Sequence, residues 1–176
     1  MTVTIRPATA PDCIDVAAIY KHYVENTVIT FDYDAPTPAE WKVKRANLHA
    51  ARMPFLVAVD EDSTVVGYAY VSEYRTKRGY DWTVENTIYL NPGHTGKGYG
   101  KALLKALLDA VVDTPARRVI AVIAAVEGSG SIPLHAKAGF IDAGRLKRVG
   151  FKHGVWIDIV TMQYDVEDSD APPPEH

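Results

Sequence analysis

The sequence predicts an α/β domain of the α+β kind, with about seven strands and about four helices in one unit over residues 1–164. Three observations carry that reading. Two short polar motifs of capping-box form each precede a run with helical apolar spacing. Two apolar runs flank an acidic turn, as in an antiparallel hairpin. A glycine-rich segment then joins another apolar run to a third helix. The resulting order is strand, two helices, three strands, helix, strand, helix, two strands.

Val3 to Arg6 reads as the first strand. Thr9-Ala10-Pro11-Asp12 has capping-box form ahead of a helix from about Pro11 to Glu25, in which Cys13, Val16, Ala17, Tyr20 and Val24 recur at helical spacing. A second box, Thr37-Pro38-Ala39-Glu40, opens a helix whose Trp41, Arg45 and Leu48 share a face and which stops before Pro54. Between these helices, Asn26 to Phe31 mixes polar and apolar residues and reads as an ordered loop. Phe55 to Val59 and Val65 to Val71 flank the turn Asp60-Glu61-Asp62-Ser63 and form the hairpin. Thr87 to Leu90 is the fourth strand. Lys101 to Val112 is the third helix, with Ala102, Leu103, Ala106, Leu107, Ala110 and Val111 as its apolar stripe and Thr114-Pro115 as its stop. Arg118 to Ala124 is the fifth strand. A short helix follows, with Ser129 or Ser131 near its N-cap and Gly139 placed to end it. Strands around Gly144 to Phe151 and Val155 to Tyr164 complete the domain. The acidic, proline-containing tail 165–176 is expected to be disordered.

Composition narrows the function classes. A chain of 176 residues, 47% hydrophobic, can bury a core of its own. No apolar stretch approaches the roughly 18 residues of a membrane span, and the N-terminus lacks a signal-peptide layout. Cys13 is the single cysteine, so neither an internal disulfide nor a cysteine metal cluster can form. These features lead us to expect a cytoplasmic protein with no membrane partner and no metal. The formal charge of -3 owes much to the tail, whose five acids leave 17 acidic residues against 19 basic ones in the body. That balance argues against a nucleic-acid partner, while a local basic patch can still receive an anion.

The segment Gly96-Lys97-Gly98-Tyr99-Gly100 carries the functional signal. Amide N–H groups at a helix N-terminus are unpaired and carry positive potential, and glycines let a pyrophosphate approach them closely. Spacing separates the candidate ligands. A P-loop requires Ser or Thr after Gly-Lys, but Gly98 and Ala102 occupy those positions. A dinucleotide fingerprint requires G-x-G-x-x-G, whereas these glycines run G-x-G-x-G. Thr95 to Gly100 instead resembles the pyrophosphate motif for coenzyme A of the GCN5-related N-acetyltransferase (GNAT) superfamily, [R/Q]-x-x-G-x-[G/A], in every position but the first.

The element order is also the GNAT order. The segments Tyr80 to Leu90 and Gly150 to Asp158, the latter containing Phe151-Lys152-His153-Gly154, closely resemble the phosphinothricin N-acetyltransferases and the acetyltransferases of methionine sulfoximine and methionine sulfone. That likeness runs from about Ile5 to Tyr164. It implies a GNAT fold with a mixed, mostly antiparallel central sheet, acetyl-CoA as co-substrate, and a small-molecule amine as acceptor. It also implies a homodimer, for which Trp156 is a candidate interface residue, with core packing as its alternative.

A primary amine must lose a proton before it attacks a thioester, and a carboxylate at a strand end can take that proton directly or through a water. Glu85 is the candidate base, just ahead of the strand that leads to the glycine loop, and the resemblance places the family's proposed base here. The resemblance further implies that Ile88, Tyr89 and Leu90 contact the cofactor along a bulged strand, with N–H groups near Tyr89 or Leu90 facing the oxyanion. Gly96, Lys97, Gly98, Tyr99, Gly100 and Lys101 make the pyrophosphate site. His135 is a candidate proton source for the departing thiolate, with a structural role in the short helix as the alternative. Arg75, Thr76 and Lys77 form the basic segment facing the acceptor, Asn86 and Thr87 lie beside the base, and Phe31 is a candidate wall with core packing as its alternative. The other histidines carry less: His22 and His49 read as surface positions, His94 as a loop residue, and His153 as part of the branch signature.

Several residues depart from the family pattern. Thr95 stands where Arg or Gln is usual, Gly128 where an Asn commonly contacts cofactor, and Lys77 where Arg is common, so acceptor preference has room to move. Direct acetyl transfer in a ternary complex is the leading expectation. A GNAT enzyme for another amine, such as a protein N-terminus or polyamine, and a non-catalytic acyl-CoA-binding regulator are the alternatives.

Overall fold

A computed structural model describes residues 3–167 and 171–173. The elements follow in the expected order: β1 (Thr4–Pro7), α1 (Cys13–Asn26), α2 (Pro38–Ala50), β2 (Phe55–Val59), β3 (Val65–Glu73), β4 (Thr83–Leu90), α3 (Tyr99–Val111), β5 (Arg118–Ala124), α4 (Ser131–Lys137), β6 (Ile141–Lys152) and β7 (Val155–Asp165). Short 3-10 turns at Arg78–Tyr80 and Pro92–His94 were not anticipated.

Both polar boxes act, in different ways. Around α2 the box is complete, with Thr37 accepting from the Glu40 amide and Glu40 accepting from the Thr37 amide. Ahead of α1, Asp12 instead turns its carboxylate back onto the Thr9 amide and hydroxyl, both at 2.7 Å, and onto the Arg6 guanidinium. The segment before α1 therefore winds as tight turns, and regular helix starts at Cys13. Gly130 holds the N-cap position of α4, with Ser129 and Ser131 on either side of it, and the Ser129 hydroxyl accepts from the Ser131 amide at 3.4 Å. Gly139 ends that region at φ 100°, as its placement suggested.

The strands form one sheet in the order β1-β2-β3-β4-β5-β7-β6. β4 and β5 run parallel, and every other neighbouring pair among the described residues runs antiparallel. One core lies under α3, where Leu103, Leu104, Leu107 and Val111 are fully buried in a cluster with apolar residues of β3, β5 and β7. The apolar stripe is thus rotated toward the leucines, leaving Ala102, Ala106 and Ala110 only half-buried. The opposite face carries α1 and α2 over a cluster of aromatic rings that includes Trp41, Phe55, Tyr68 and Tyr70.

β4 begins at Thr83, four residues earlier than its apolar run suggests, because Glu85 and Asn86 pair with β3 despite their polarity. β7 runs through Asp165, and Arg117 and Arg118 hold the following residues: the Val166 amide donates to the Arg117 carbonyl, and Arg117 pairs with Glu167 at 2.8 Å. Ordered structure therefore passes residue 164. The expected disorder at 168–170 and 174–176 lies outside the described residues. Among the described residues, no helix is long and apolar enough to cross a membrane.

Candidate active site

A cleft of about 1460 Å³ runs between the carboxyl halves of β4 and β5, and the register of the sheet creates it. β5 pairs with β4 only from Arg118 to Ile120, opposite Thr83 to Glu85, then continues beside β7 as far as Ala124. β4 stays in unbroken register with β3 from Val84 to Leu90. The two central strands therefore separate just after Glu85, and β4 has an unpaired edge from there onward.

Which backbone groups face that opening follows from alternation. The Asn91 amide donates to the Val66 carbonyl at 2.8 Å, so Tyr89 and Thr87 spend their backbone groups on β3. Ile88 and Leu90 turn theirs toward the cleft. The Leu90 carbonyl is already occupied by the Tyr23 hydroxyl at 2.6 Å, so the amide is the group it has to offer. No register shift against β3 accompanies this arrangement, so divergence from β5 frees the backbone where a bulge in β4 was expected. For the same reason Tyr89 offers no amide to the cleft.

At the far end of β4 the helix junction opens onto the same cleft. Gly96 and Gly98 adopt φ of 75° and 83°, in the left-handed region, and Gly98 is the N-cap of α3. A Cβ at either would meet nothing within 4 Å, so the loop faces open space. Thr95, Gly96, Gly98, Gly100 and Lys101 line the cleft; Lys97 is exposed away from it, and Tyr99 turns into the core beside His94. The Thr95 hydroxyl bonds to the Pro92 carbonyl within its own turn. Gly128 lies across the cleft at φ 77°, also with open space beside it.

Glu85 lines the cleft where the strands part. Burial pushes its carboxyl above the usual range, and the cations Arg75 and Lys44 oppose that rise. Lys44 escaped the sequence reading because on a helix it looks like any solvated lysine. Its ammonium lies 4.5 Å from the Tyr70 ring centroid and donates to the Tyr70 hydroxyl at 2.6 Å. Tyr70 lines the cleft and was also missed.

His135 and Asn86 form one unit on the other side of β4. The ring is buried at 2% exposure, with Nδ1 2.8 Å from the Ser131 carbonyl and Nε2 3.0 Å from Asn86 Nδ2. A carbonyl only accepts, so the proton sits on Nδ1 and Nε2 accepts from Asn86. Burial also lowers the imidazole pKa, which keeps the ring neutral. In this arrangement the ring has no proton to give at Nε2. Asn86 Oδ1 is buried without a partner and belongs to a cleft residue.

Phe31, Thr30, Thr87 and His153 also line the cleft. Arg75, Thr76 and Lys77 are exposed and do not line the cleft; the Arg75 guanidinium packs 5.0 Å from the Tyr74 ring centroid, near enough to Glu85 to act on its charge.

Comparison with known proteins fits this geometry. The profile of the acetyltransferase (GNAT) family matches residues 16–140. The chain belongs to that family. Among GNAT relatives it is 37% identical over 172 residues to phosphinothricin N-acetyltransferase of Alcaligenes faecalis, covering 98% of this chain and 87% of that enzyme. It is 33% identical over 173 residues to the L-methionine sulfoximine/L-methionine sulfone acetyltransferase of Salmonella typhimurium, covering 97% of this chain and 98% of that enzyme. A GNAT phosphinothricin acetyltransferase from Sinorhizobium meliloti, crystallised in complex with acetyl-CoA, superposes with a TM-score of 0.93 at 39% identity, over 99% of this chain and 95% of that one. The residues present here fit acetyl-CoA: left-handed glycines with free space beside them, a helix N-terminus facing the cleft, and a strand edge with open amides.

Proposed function

We propose that this chain moves the acetyl group of acetyl-CoA to the α-amino group of a small amino-acid analogue of the phosphinothricin, methionine sulfoximine or methionine sulfone type. Transfer is direct, within a ternary complex. The observation that carries the reading is Glu85, a carboxylate made more basic by burial, in the same cleft as the glycine loop. The names of the relatives supply the acceptor class.

Acetyl-CoA supplies an acyl thioester. The amides from Gly96 to Lys101 hold its pyrophosphate, with Lys97 and Lys101 adding charge around the loop, and the amides of Ile88 and Leu90 are the donors for oxyanion charge on the acyl carbonyl. Glu85 takes one proton from the arriving ammonium, directly or through a water. After attack the nitrogen still carries a surplus proton, which is available to the sulfur as the C–S bond breaks. No side-chain acid is required for that step. His135 therefore acts as a positioning residue for Asn86, in place of the donor role first considered. Arg75, which stands outside the cleft lining but close enough to act on Glu85, is the cation for the acceptor's anionic group; Thr76 and Lys77 follow it in the chain, Thr87 lies next to the base, and Phe31 forms a wall.

The domain of residues 1–164 carries this activity in the cytoplasm. Its form is a homodimer, supported by the exposed apolar side chains of β6 and β7. The deciding experiment is acetyl-CoA turnover with methionine sulfone, phosphinothricin and a peptide panel. Acetylation of either amino-acid analogue at its amine is the expected result. Turnover of peptides alone would move the acceptor class to protein N-termini, and cofactor binding without thiol release on any amine would leave a regulator.

A further inference from the structure

We infer that Lys152 is a positioning residue for acceptor selection, strapping the loop that carries Phe31 onto the end of β6 and so setting one wall of the cleft. The inference rests on the acetyltransferase reading and gives a task to part of the Phe151-Lys152-His153-Gly154 string, which that chemistry leaves unused.

Lys152 has 0% exposure, while its neighbours Phe151 and His153 are exposed. Its ammonium donates to the Thr30 carbonyl at 3.0 Å. Among the described residues no carboxylate pairs with it directly; Asp32, two residues beyond Thr30, contributes opposite charge. Burying an ammonium is costly unless it is paired or hydrogen-bonded, and here its hydrogen bond goes to the loop between α1 and α2.

Two more ties join the same pair of segments. The Tyr33 hydroxyl donates to the Phe151 carbonyl at 2.7 Å. The Phe31 ring rests on Gly150 so closely that a Cβ there would sit 2.4 Å from it. Successive residues 150, 151 and 152 of β6 thus hold Phe31, Tyr33 and Thr30. From the other side, the Tyr20 hydroxyl meets Thr30 Oγ1 at 2.7 Å and donates to Asp32 at 2.6 Å. Phe31, 38% exposed, lines the cleft between these anchors. The loop has no regular secondary structure, so these ties determine where the ring stands.

The test is steady-state kinetics of Lys152→Met and Gly150→Ala, with acceptor and acetyl-CoA varied separately. Loss of one charge-assisted hydrogen bond predicts an acceptor KM about tenfold higher or more, with acetyl-CoA KM within about twofold of wild type. Gly150→Ala, which pushes the ring from its other side and leaves Lys152 intact, gives the same split and covers the case in which Lys152→Met does not fold. In Phe31→Ala, adding Lys152→Met has little further effect on acceptor KM, because both act through one ring. Equal changes in both KM values, or an unchanged acceptor KM in both single variants, overturn the proposal. Hydrogen exchange separates it from the acetyltransferase reading. Where wild type acetylates none of the acceptors, that reading falls and the strap is judged on exchange alone. Amides of 28–33 exchanging about tenfold faster in Lys152→Met, with α3 unchanged, support it, and unchanged loop exchange overturns it.

Discussion

Glu85 is proposed as the base because of where β4 leaves β5. Glu85 is the last residue of β4 paired to both neighbours, and it is half-buried at the head of the cleft with Arg75 and Lys44 acting on it. Glu85→Gln should lower kcat by about 100-fold or more at neutral pH while leaving acetyl-CoA affinity nearly unchanged, measured by turnover and by titration calorimetry. The charged form is the active one, so kcat/KM rises with pH through a pKa above the usual glutamate range. Arg75→Ala removes a cation that favours the charged form, and the acid limb of the kcat/KM profile should move to higher pH. For His135, the ring bonded to both Ser131 and Asn86 predicts that His135→Phe keeps the shape of the alkaline side of the kcat profile. The cost falls on stability, about 1–3 kcal/mol by denaturant unfolding, since Asn86 loses its partner. Glu85 was legible in the sequence because its neighbours carry a strong motif. The proton inventory of His135 was not, because it depends on Asn86, 49 positions away in the chain.

At the scale of elements, the most readable features were those encoded by local chemistry. The Thr37 and Glu40 box needs only four residues to specify a helix start, and Gly96 and Gly98 announce the left-handed loop because other residues resist that backbone. Gly98→Ala should therefore cost about 1–2 kcal/mol of stability and raise acetyl-CoA KM with little change in acceptor KM. The divergence of β4 from β5 was not readable, because it is a relation between strands whose sequences look like ordinary apolar runs. The same holds for the joint between β1 and α1, where Arg6 and Asp12 meet in a bidentate pair that a capping-box reading does not contain. Arg6 and Thr9 hold the Asp12 carboxyl at about 2, below its ordinary 3.8. Stabilisation from this lowered pKa is fully present above about pH 4 and is lost as pH falls through the folded value near 2. Asp12→Asn should flatten the acid limb of the stability curve and cost about 1–2 kcal/mol near neutrality, a figure discounted because Arg6 is 39% exposed.

On the scale of the whole molecule, the sheet is finished on one side and unfinished on the other. β6 is an edge strand of 12 residues, and apolar side chains on it and on β7 stand in solvent: Ile141, Leu146, Val149, Phe151, Val155 and Trp156. Trp156 is 62% exposed and its ring centroid lies 5.1 Å from that of Phe151, so the most exposed aromatic pair sits at the hairpin end. An apolar edge of this kind invites association, and a second copy of the chain is the proposed occupant. That edge is also the segment that holds the proposed acceptor wall: Phe151 presents its side chain outward while its carbonyl receives the Tyr33 hydroxyl, and Lys152 beside it ties Thr30. Assembly and acceptor binding should consequently be linked. Trp156→Glu is expected to shift the protein to monomer in sedimentation velocity at micromolar concentration. Its acceptor KM should rise while acetyl-CoA KM stays near wild type, because the glycine loop lies at the other end of the cleft. A monomeric variant with unchanged acceptor KM would separate the two properties, and a dimer that survives Trp156→Glu would place the interface elsewhere on the chain.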